Sequence, residues 1–313
     1  METIDNYFIY DGRTNIIPPN VTHLRTTTNF NSLITIYSYI THLTFGWGYD
    51  QPTYNLPLTI THLTFGGKYN QPTDHLPQSI THLTFGCYYD QPTDHLPPAI
   101  THLTFGGDYN QLTDHLPSSI THLTFGRCYN HISDHLPSSI THLTFGHRYN
   151  QPTDHLPSSI THLTFGWYYN HISDYLPSGI THLNFGSDYN QPTNHLPHTI
   201  THLNFGGCYN QLTTQLPPSI TNLTFGHFYN QPVILPQSIT HLTFGSCYNQ
   251  PTTFPKYITS IRFYGIYDQY INDLYGLYEL SHTNIVKAII VEHVDKNKHN
   301  LKMKSLTLLD YCL

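Results

Sequence analysis

Histidine is the residue in this sequence whose type and spacing could support chemistry. The segment Thr-His-Leu recurs every twenty residues, shortened to nineteen at the last step. Imidazole is a common ligand for zinc, copper and nickel, and it can also move protons. We call the set the first histidine column: His42, His62, His82, His102, His122, His142, His162, His182, His202 and His241, with Asn222 as the one interruption.

A second, looser column usually follows an aspartate: His75, His95, His115, His135, His155 and His195. Neither column has the three or four converging ligands of a dedicated metal site. We therefore predict no metal ion and no cofactor. A neutral imidazole carries one donor and one acceptor, which suits a histidine ladder along a sheet face.

Catalysis is not indicated, because an active site needs unlike groups that converge once, whereas this chain repeats the same groups. Pairs such as Asp74-His75 lack a distinct nucleophile, and Ser133-Asp134-His135 is the repeat with one substitution. HExxH, P-loop and dinucleotide-binding motifs are absent from the sequence. We predict that the protein is not an enzyme.

The elements that position these residues come from one repeated segment, ITHLTFG, residues 40–46. It returns from Ile60, Ile80, Ile100, Ile120, Ile140, Ile160, Ile180, Ile200, Ile220 and Ile239. Self-similarity at a short fixed period is typical of a solenoid.

Within a repeat, residues 42–45 alternate polar and apolar, which predicts a half-buried strand. Gly46 then permits a turn with positive φ. Pro52 and Pro57 argue against a helix in the remainder. Asn70, Asn110, Asn130 and their equivalents are expected to form a ladder that satisfies main-chain groups at the bends.

A twenty-residue unit cannot bury its own apolar side chains, so stacking is required. We predict a repeat solenoid with one short parallel strand per coil, little or no α-helix, and about 12–13 coils between terminal caps. Residues 1–39 are assigned to an N-terminal cap with one degenerate repeat, 40–257 to the solenoid, and 258–313 to a degenerate last repeat and C-terminal cap. Residues 284–294 are expected to form a strand that seals the open end, or a short helix.

Composition excludes several classes of partner. The formal net charge is −7, and between residues 40 and 255 ten aspartates outnumber the cations Lys68, Arg127 and Arg148. A nucleic-acid partner is therefore not expected. Neither a membrane-spanning window nor a signal peptide is found, which predicts a cytoplasmic protein that is not secreted and whose five cysteines are reduced.

The combination LP-x-SITHLTFG-x-x-YNQP, as in residues 76–92, resembles the FNIP repeat over about residues 17–269. This relative of the leucine-rich repeat is numerous in social amoebae and giant DNA viruses. The resemblance implies a leucine-rich-repeat-like solenoid that contacts other proteins, in the host cytoplasm if the protein is viral. An F-box precedes the repeats in many members, which links them to ubiquitin ligases. Residues 1–39 are too short for one, so only the binding surface is carried over.

Two positions after each repeat glycine are free to vary, and we call them the variable pair. They hold both tryptophans of the chain, together with tyrosine and arginine, the types enriched at binding hot spots. Residues 127–168 are predicted to form the centre of a partner-binding edge. The candidate partner-binding residues are Trp47, Tyr88, Arg127, Arg148, Trp167 and Tyr168, with His122, His142 and His162 of the first column.

These patterns predict a non-catalytic module, monomeric, that binds an unknown protein partner. The alternative is a structural or self-assembling solenoid rod without a specific partner.

Overall fold

The computed structural model describes residues 7–13, 17–264 and 288–291, and this part of the chain contains strands and bends without a helix. The chain divides into two compact units. The first unit comprises Met1–Gln151 and His155–Ile160, and the second comprises Pro152–Asp154 and Thr161–Leu313.

The first unit holds eight strands and the second holds seven, counted over the described residues. In the first they are β1 (Tyr7–Tyr10), β2 (His23–Thr26), β3 (His42–Thr44), β4 (His62–Thr64), β5 (His82–Thr84), β6 (His102–Thr104), β7 (His122–Thr124) and β8 (His142–Thr144). In the second they are β9 (His162–Thr164), β10 (His182–Asn184), β11 (His202–Asn204), β12 (Asn222–Thr224), β13 (His241–Phe244), β14 (Ser260–Phe263) and β15 (Ala288–Val291).

Within each unit every strand pairs in parallel with the next strand of the chain. The register aligns equivalent residues, so that His62 lies opposite His82 and Leu63 opposite Leu83. The predicted fold class is confirmed: the chain is a leucine-rich-repeat-like parallel β-solenoid of about 13 turns with one strand per coil.

The core of each coil consists of the same four side chains. In the coil that contains β5, Ile80 and Tyr89 are fully buried, while Leu83 and Phe85 are 1% and 2% exposed. The Phe85 and Tyr89 rings stack with centroids 3.7 Å apart, and Phe85 stacks on Phe105 of the next coil at 5.8 Å. Burial of each such side chain stabilises the fold by roughly 1.5–3 kcal/mol, and only the neighbouring coils supply that burial.

Most polar groups inside the stack are hydrogen-bonded from coil to coil. The hydroxyl groups of Thr93 and Tyr109 lie 3.1 Å apart in the core. At the bend, Asn110 Oδ1 accepts the Asn130 N–H at 3.0 Å, which confirms the expected ladder. The ladder satisfies donors that the bend leaves outside the sheet.

The repeat glycines serve a purpose that differs from the expected one. Among the described glycines only Gly12 has a positive φ, so Gly46 and its equivalents do not form the left-handed turn that glycine permits. The reason for glycine is close approach between coils. A Cβ on Gly86 would lie 1.9 Å from the carbonyl oxygen of Gly66, a distance that no side chain tolerates.

At the two ends of the chain the description is partial. β1 pairs with β2, and β15 pairs with β14, which places a strand within the predicted segment 284–294. The rest of the predicted C-terminal cap beyond Tyr264 lies outside the described residues, and the three assigned domains stay a prediction. In the described part, no helix has the length and hydrophobicity needed to cross a membrane.

Two adjacent glycines provide a matched test of the close approach. A Cβ on Gly106 would lie 1.8 Å from the Gly86 carbonyl oxygen, whereas one on Gly107 would make an ordinary contact of 3.5 Å with the Cys87 carbonyl oxygen. We expect Gly106→Ala to destabilise the protein by about 3 kcal/mol, because the coils must separate. Gly107→Ala should change stability by no more than about 0.5 kcal/mol. Urea denaturation measures both, and equal midpoints for the two variants would contradict this packing.

Candidate interaction surfaces

The first histidine column lies on the face of the sheet as parallel, stacked rings. The ring centroids of His82 and His102 are 4.2 Å apart with 13° between their planes, and those of His102 and His122 repeat this geometry. Parallel register brings the rings together, because each column residue lies opposite its equivalent in the next strand. Of the three column residues named as partner-binding candidates, His122 and His142 are brought opposite each other.

A threonine fixes each ring from the preceding position. Thr121 Oγ1 lies 2.9 Å from His122 Nδ1 and 3.2 Å from the Thr101 carbonyl oxygen of the previous coil. At the one interruption, the Thr221 hydroxyl donates to Asn222 Oδ1 at the same 2.9 Å. The side-chain amide therefore takes the place of the imidazole without loss of this bond.

This arrangement does not favour metal binding. Stacked parallel rings direct their nitrogen lone pairs along parallel lines, whereas a metal needs ligands that converge. Within residues 7–13, 17–264 and 288–291, no three histidine, cysteine, aspartate or glutamate side chains gather as a metal site would require. The absence of a metal and of a cofactor stays a prediction.

Four histidines of the stack resist protonation. Burial and the neighbouring imidazoles lower the pKa of His62, His82, His122 and His202 below the ordinary value of 6.5, burial being the larger cause. For His122 the neighbours are His102 and His142. Like charges on directly opposed residues destabilise a sheet, so the column is stable in its neutral form.

Three asparagines interrupt the sheet face of the second unit. Asn184 and Asn204 replace the threonine found two positions after the column histidine in the other full repeats, and Asn222 replaces a histidine. Asn204 Nδ2 donates to Asn184 Oδ1 at 2.7 Å, and the three asparagines help to line a shallow depression. The sequence analysis identified Asn222 but not Asn184 and Asn204, although the replacement of threonine by asparagine at these two positions is visible in the sequence.

The variable pairs of the first unit form a surface that we call the variable edge. Backbone hydrogen bonds link this surface from one coil to the next. The Lys68 N–H donates to the Trp47 carbonyl oxygen at 2.9 Å, and the Arg148 N–H donates to the Arg127 carbonyl oxygen at 2.9 Å. The side chains of Trp47, Lys68, Tyr88, Arg127 and Arg148 are all exposed.

Trp47 and Tyr88 come together although a coil lies between them. Their ring centroids are 6.0 Å apart in an edge-to-face arrangement. The intervening residue is Gly67, where a Cβ would lie 2.4 Å from the indole ring. The missing side chain of Gly67 therefore lets the indole lie across the backbone and reach Tyr88.

In the second unit, Trp167 and Tyr168 are adjacent in sequence and about half exposed, at 53% and 51%. Among the candidate partner-binding residues, Trp47 thus contacts Tyr88 through their rings, and Arg148 is bonded to Arg127 through the backbone. The hypothesis that residues 127–168 form one centre stays a prediction.

The column predicts a pH-dependent stability. The folded state holds column histidines with a lowered pKa, so the unfolded chain binds protons first as the pH falls through about 6.5. The contribution of these histidines to stability is therefore complete above about pH 7.5 and is lost progressively as the pH falls from there to about 5. We expect the melting temperature to fall by roughly 5 °C over that interval.

The matched control replaces His82, His102 and His122 with asparagine, the residue that position 222 already carries. It should melt within about 3 °C of the parent at pH 7.5 and lose less stability on acidification. A melting temperature that does not change between pH 7.5 and pH 5 would rule out the neutral ladder.

Comparison with known proteins agrees with this architecture. The family model described as FNIP Repeat matches residues 49–88, 69–108, 89–128, 112–148, 129–167, 149–174, 172–208 and 209–247. A comparison with curated proteins gives no match. Among solved structures, the chain is similar to the crystal structure of CroV588, described as a novel circular LRR protein, with a TM-score of 0.71 and 35% identity.

That similarity covers 94% of this chain and 53% of CroV588, so the chain spans about half the length of that protein. The matches to the family model run through residues 49–247, which is more than half of the sequence. The chain belongs to the FNIP repeat family.

Proposed function

We propose that this protein is a non-catalytic interaction module that presents the variable pairs to a protein partner. The observation that carries the proposal is the division of each coil into fixed and free positions. In the coil that contains β4, Ile60, Leu63, Phe65 and Tyr69 are buried, whereas Lys68 is exposed and differs from its equivalents in most other coils.

The chemistry of the free positions supports this use. Tryptophan, tyrosine and arginine contribute large contact areas and directional bonds, and they dominate measured binding energies at interfaces. Both tryptophans of the chain, Trp47 and Trp167, lie at variable pairs with about half of their surface exposed. An exposed tryptophan contributes nothing to a core, so its place on this surface favours recognition.

The repeated geometry also argues against catalysis. Each histidine of the first column has an equivalent threonine, and those away from Asn222 also have equivalent neighbours, as His82 and His102 show. Tyrosines with raised pKa values, such as Tyr69 with a pKa of about 12, owe the shift to burial in the core, where no substrate reaches them. Among the described residues, no single coil gathers a nucleophile, a base and an anion-stabilising group.

A self-assembling rod is the competing account, and the two differ in oligomeric state. A specific partner-binding module is expected to be monodisperse and monomeric by size-exclusion chromatography with light scattering. Mass that rises with concentration would favour the rod. A place in the cytoplasm is part of the same proposal.

The interaction surface is tested by removing side chains that the fold does not need. We expect alanine at Arg127, Arg148, Trp167 and Tyr168 to abolish partner labelling in a proximity-labelling experiment in the native host. The melting temperature should change by no more than about 2 °C, since exposed substitutions of this kind affect stability little.

The control variant changes exposed residues at a different bend, Asp94→Asn and His95→Gln, and should label the same partners as the parent. A second variant adds alanine at Trp47 and Tyr88 to the four substitutions. Partner labelling that survives in this variant would refute the role of the variable pairs.

A further inference from the structure

The regular coils of the first unit place their cations and most of their carboxylates at different bends. The cations of its regular coils, Lys68, Arg127 and Arg148, all lie on the variable edge and are exposed. None of the three forms an ion pair within the part of the chain that the structure describes. Four exposed carboxylates occupy another bend, each after a buried threonine or serine: Asp74, Asp94, Asp114 and Asp134. Asp50 and Asp90 belong to the asparagine ladder, two residues after a variable pair, where they accept the N–H groups of Asn70 and Asn110.

One carboxylate, Asp108, shares the variable edge with the three cations. The variable pairs of the first unit therefore hold three cations and one carboxylate, on a chain whose formal net charge is −7. Lysine and arginine side chains that lack an internal partner are available to carboxylates of another molecule. Complementary charge of this kind sets the choice of partner and the rate of association.

At one end of the same edge lies an apolar contact site. Trp47 and Tyr88 are 46% and 49% exposed, and their rings pack edge to face over the backbone of Gly67. Two aromatic rings held by a rigid backbone can receive an apolar side chain at little entropic cost.

The spacing of these groups suits an extended segment. Five coil steps separate Trp47 from Arg148, and strands lie about 4.8 Å apart, so the edge is about 24 Å long. An extended chain rises about 3.4 Å per residue, so about seven residues span the distance from the aromatic pair to the last arginine.

We propose that the variable edge of the first unit binds an acidic peptide segment that carries an apolar side chain at one end. The apolar side chain packs on Trp47 and Tyr88, and the carboxylates pair with Lys68, Arg127 and Arg148. This inference rests on the proposed function and names the chemistry of the partner. A peptide fits better than a nucleic acid, since three cations on an acidic chain neutralise few phosphates.

Intrinsic fluorescence can report on this edge, because the chain has only two tryptophans. In the full-length Trp167→Phe variant, Trp47 is the remaining fluorophore. The probe is a synthetic peptide of two leucines followed by six glutamates, and the matched probe has glutamine in place of glutamate. We expect the acidic peptide to shift the Trp47 emission to the blue and to bind at least about tenfold more tightly than the neutral one. Affinity should fall as salt is raised.

Substitutions drawn from other coils test the cations without disturbing the stack. Lys68→Gly and Arg148→Gly introduce the residue of Gly48, and Arg127→Ser introduces the residue of Ser187. The triple variant should lose at least about tenfold in affinity for the acidic peptide. Asp188→Gly with Phe228→Gly, on the second unit, should bind like the parent.

Equal binding of the two peptides, or tighter binding of a single-stranded oligonucleotide, would overturn the acidic-peptide assignment. So would an unchanged affinity of the triple variant. A different result would refute the proposed interaction function itself: partner labelling that survives the loss of the variable-pair side chains.

Discussion

Neighbouring coils approach each other so closely at the glycine bend that no side chain fits between their backbones. The Cβ that Gly86 lacks would lie 1.9 Å from the Gly66 carbonyl oxygen, and Gly106 and Gly126 repeat this relation with their own predecessors. Coils held at this separation can stack their Phe and Tyr rings and bury them. The repeat therefore varies little, because the core side chains of each coil must pack against the coil before it and the coil after it.

The same constraint decides where function can reside. Positions that contact the next coil are fixed, whether they are apolar like Leu83 or polar like the asparagine ladder. The backbone of each variable pair is hydrogen-bonded to the neighbouring coil, and most of its side chains are exposed, so most of them can change without loss of the fold. A scaffold of this kind lets the sequence of the variable pairs specify a partner.

Much of the fold could be predicted from the sequence. The twenty-residue period gives the register of neighbouring strands, and the alternation of polar and apolar residues gives the strands and the side chains of the core. The burial of Leu43 and Leu63 and the parallel pairing of their strands follow from that pattern. The reason for the repeat glycine could not be predicted, since a turn with positive φ and a close approach demand the same residue. The Trp47–Tyr88 contact was also inaccessible, because it depends on the bare backbone of Gly67 in the coil between them.

Amide hydrogen exchange, followed peptide by peptide, tests the stacking of coils most directly, and the variable pairs make the peptides of different coils distinguishable by mass. In the stacked coils, the N–H of Phe65 donates to the Thr84 carbonyl oxygen and that of His82 donates to the Thr61 carbonyl oxygen. Protection should therefore be high and similar in every THLTF segment of the regular coils, and low at the exposed bends such as Asp94-His95. Exchange of the THLTF amides as fast as that of the bends would contradict the stack and everything that depends on it.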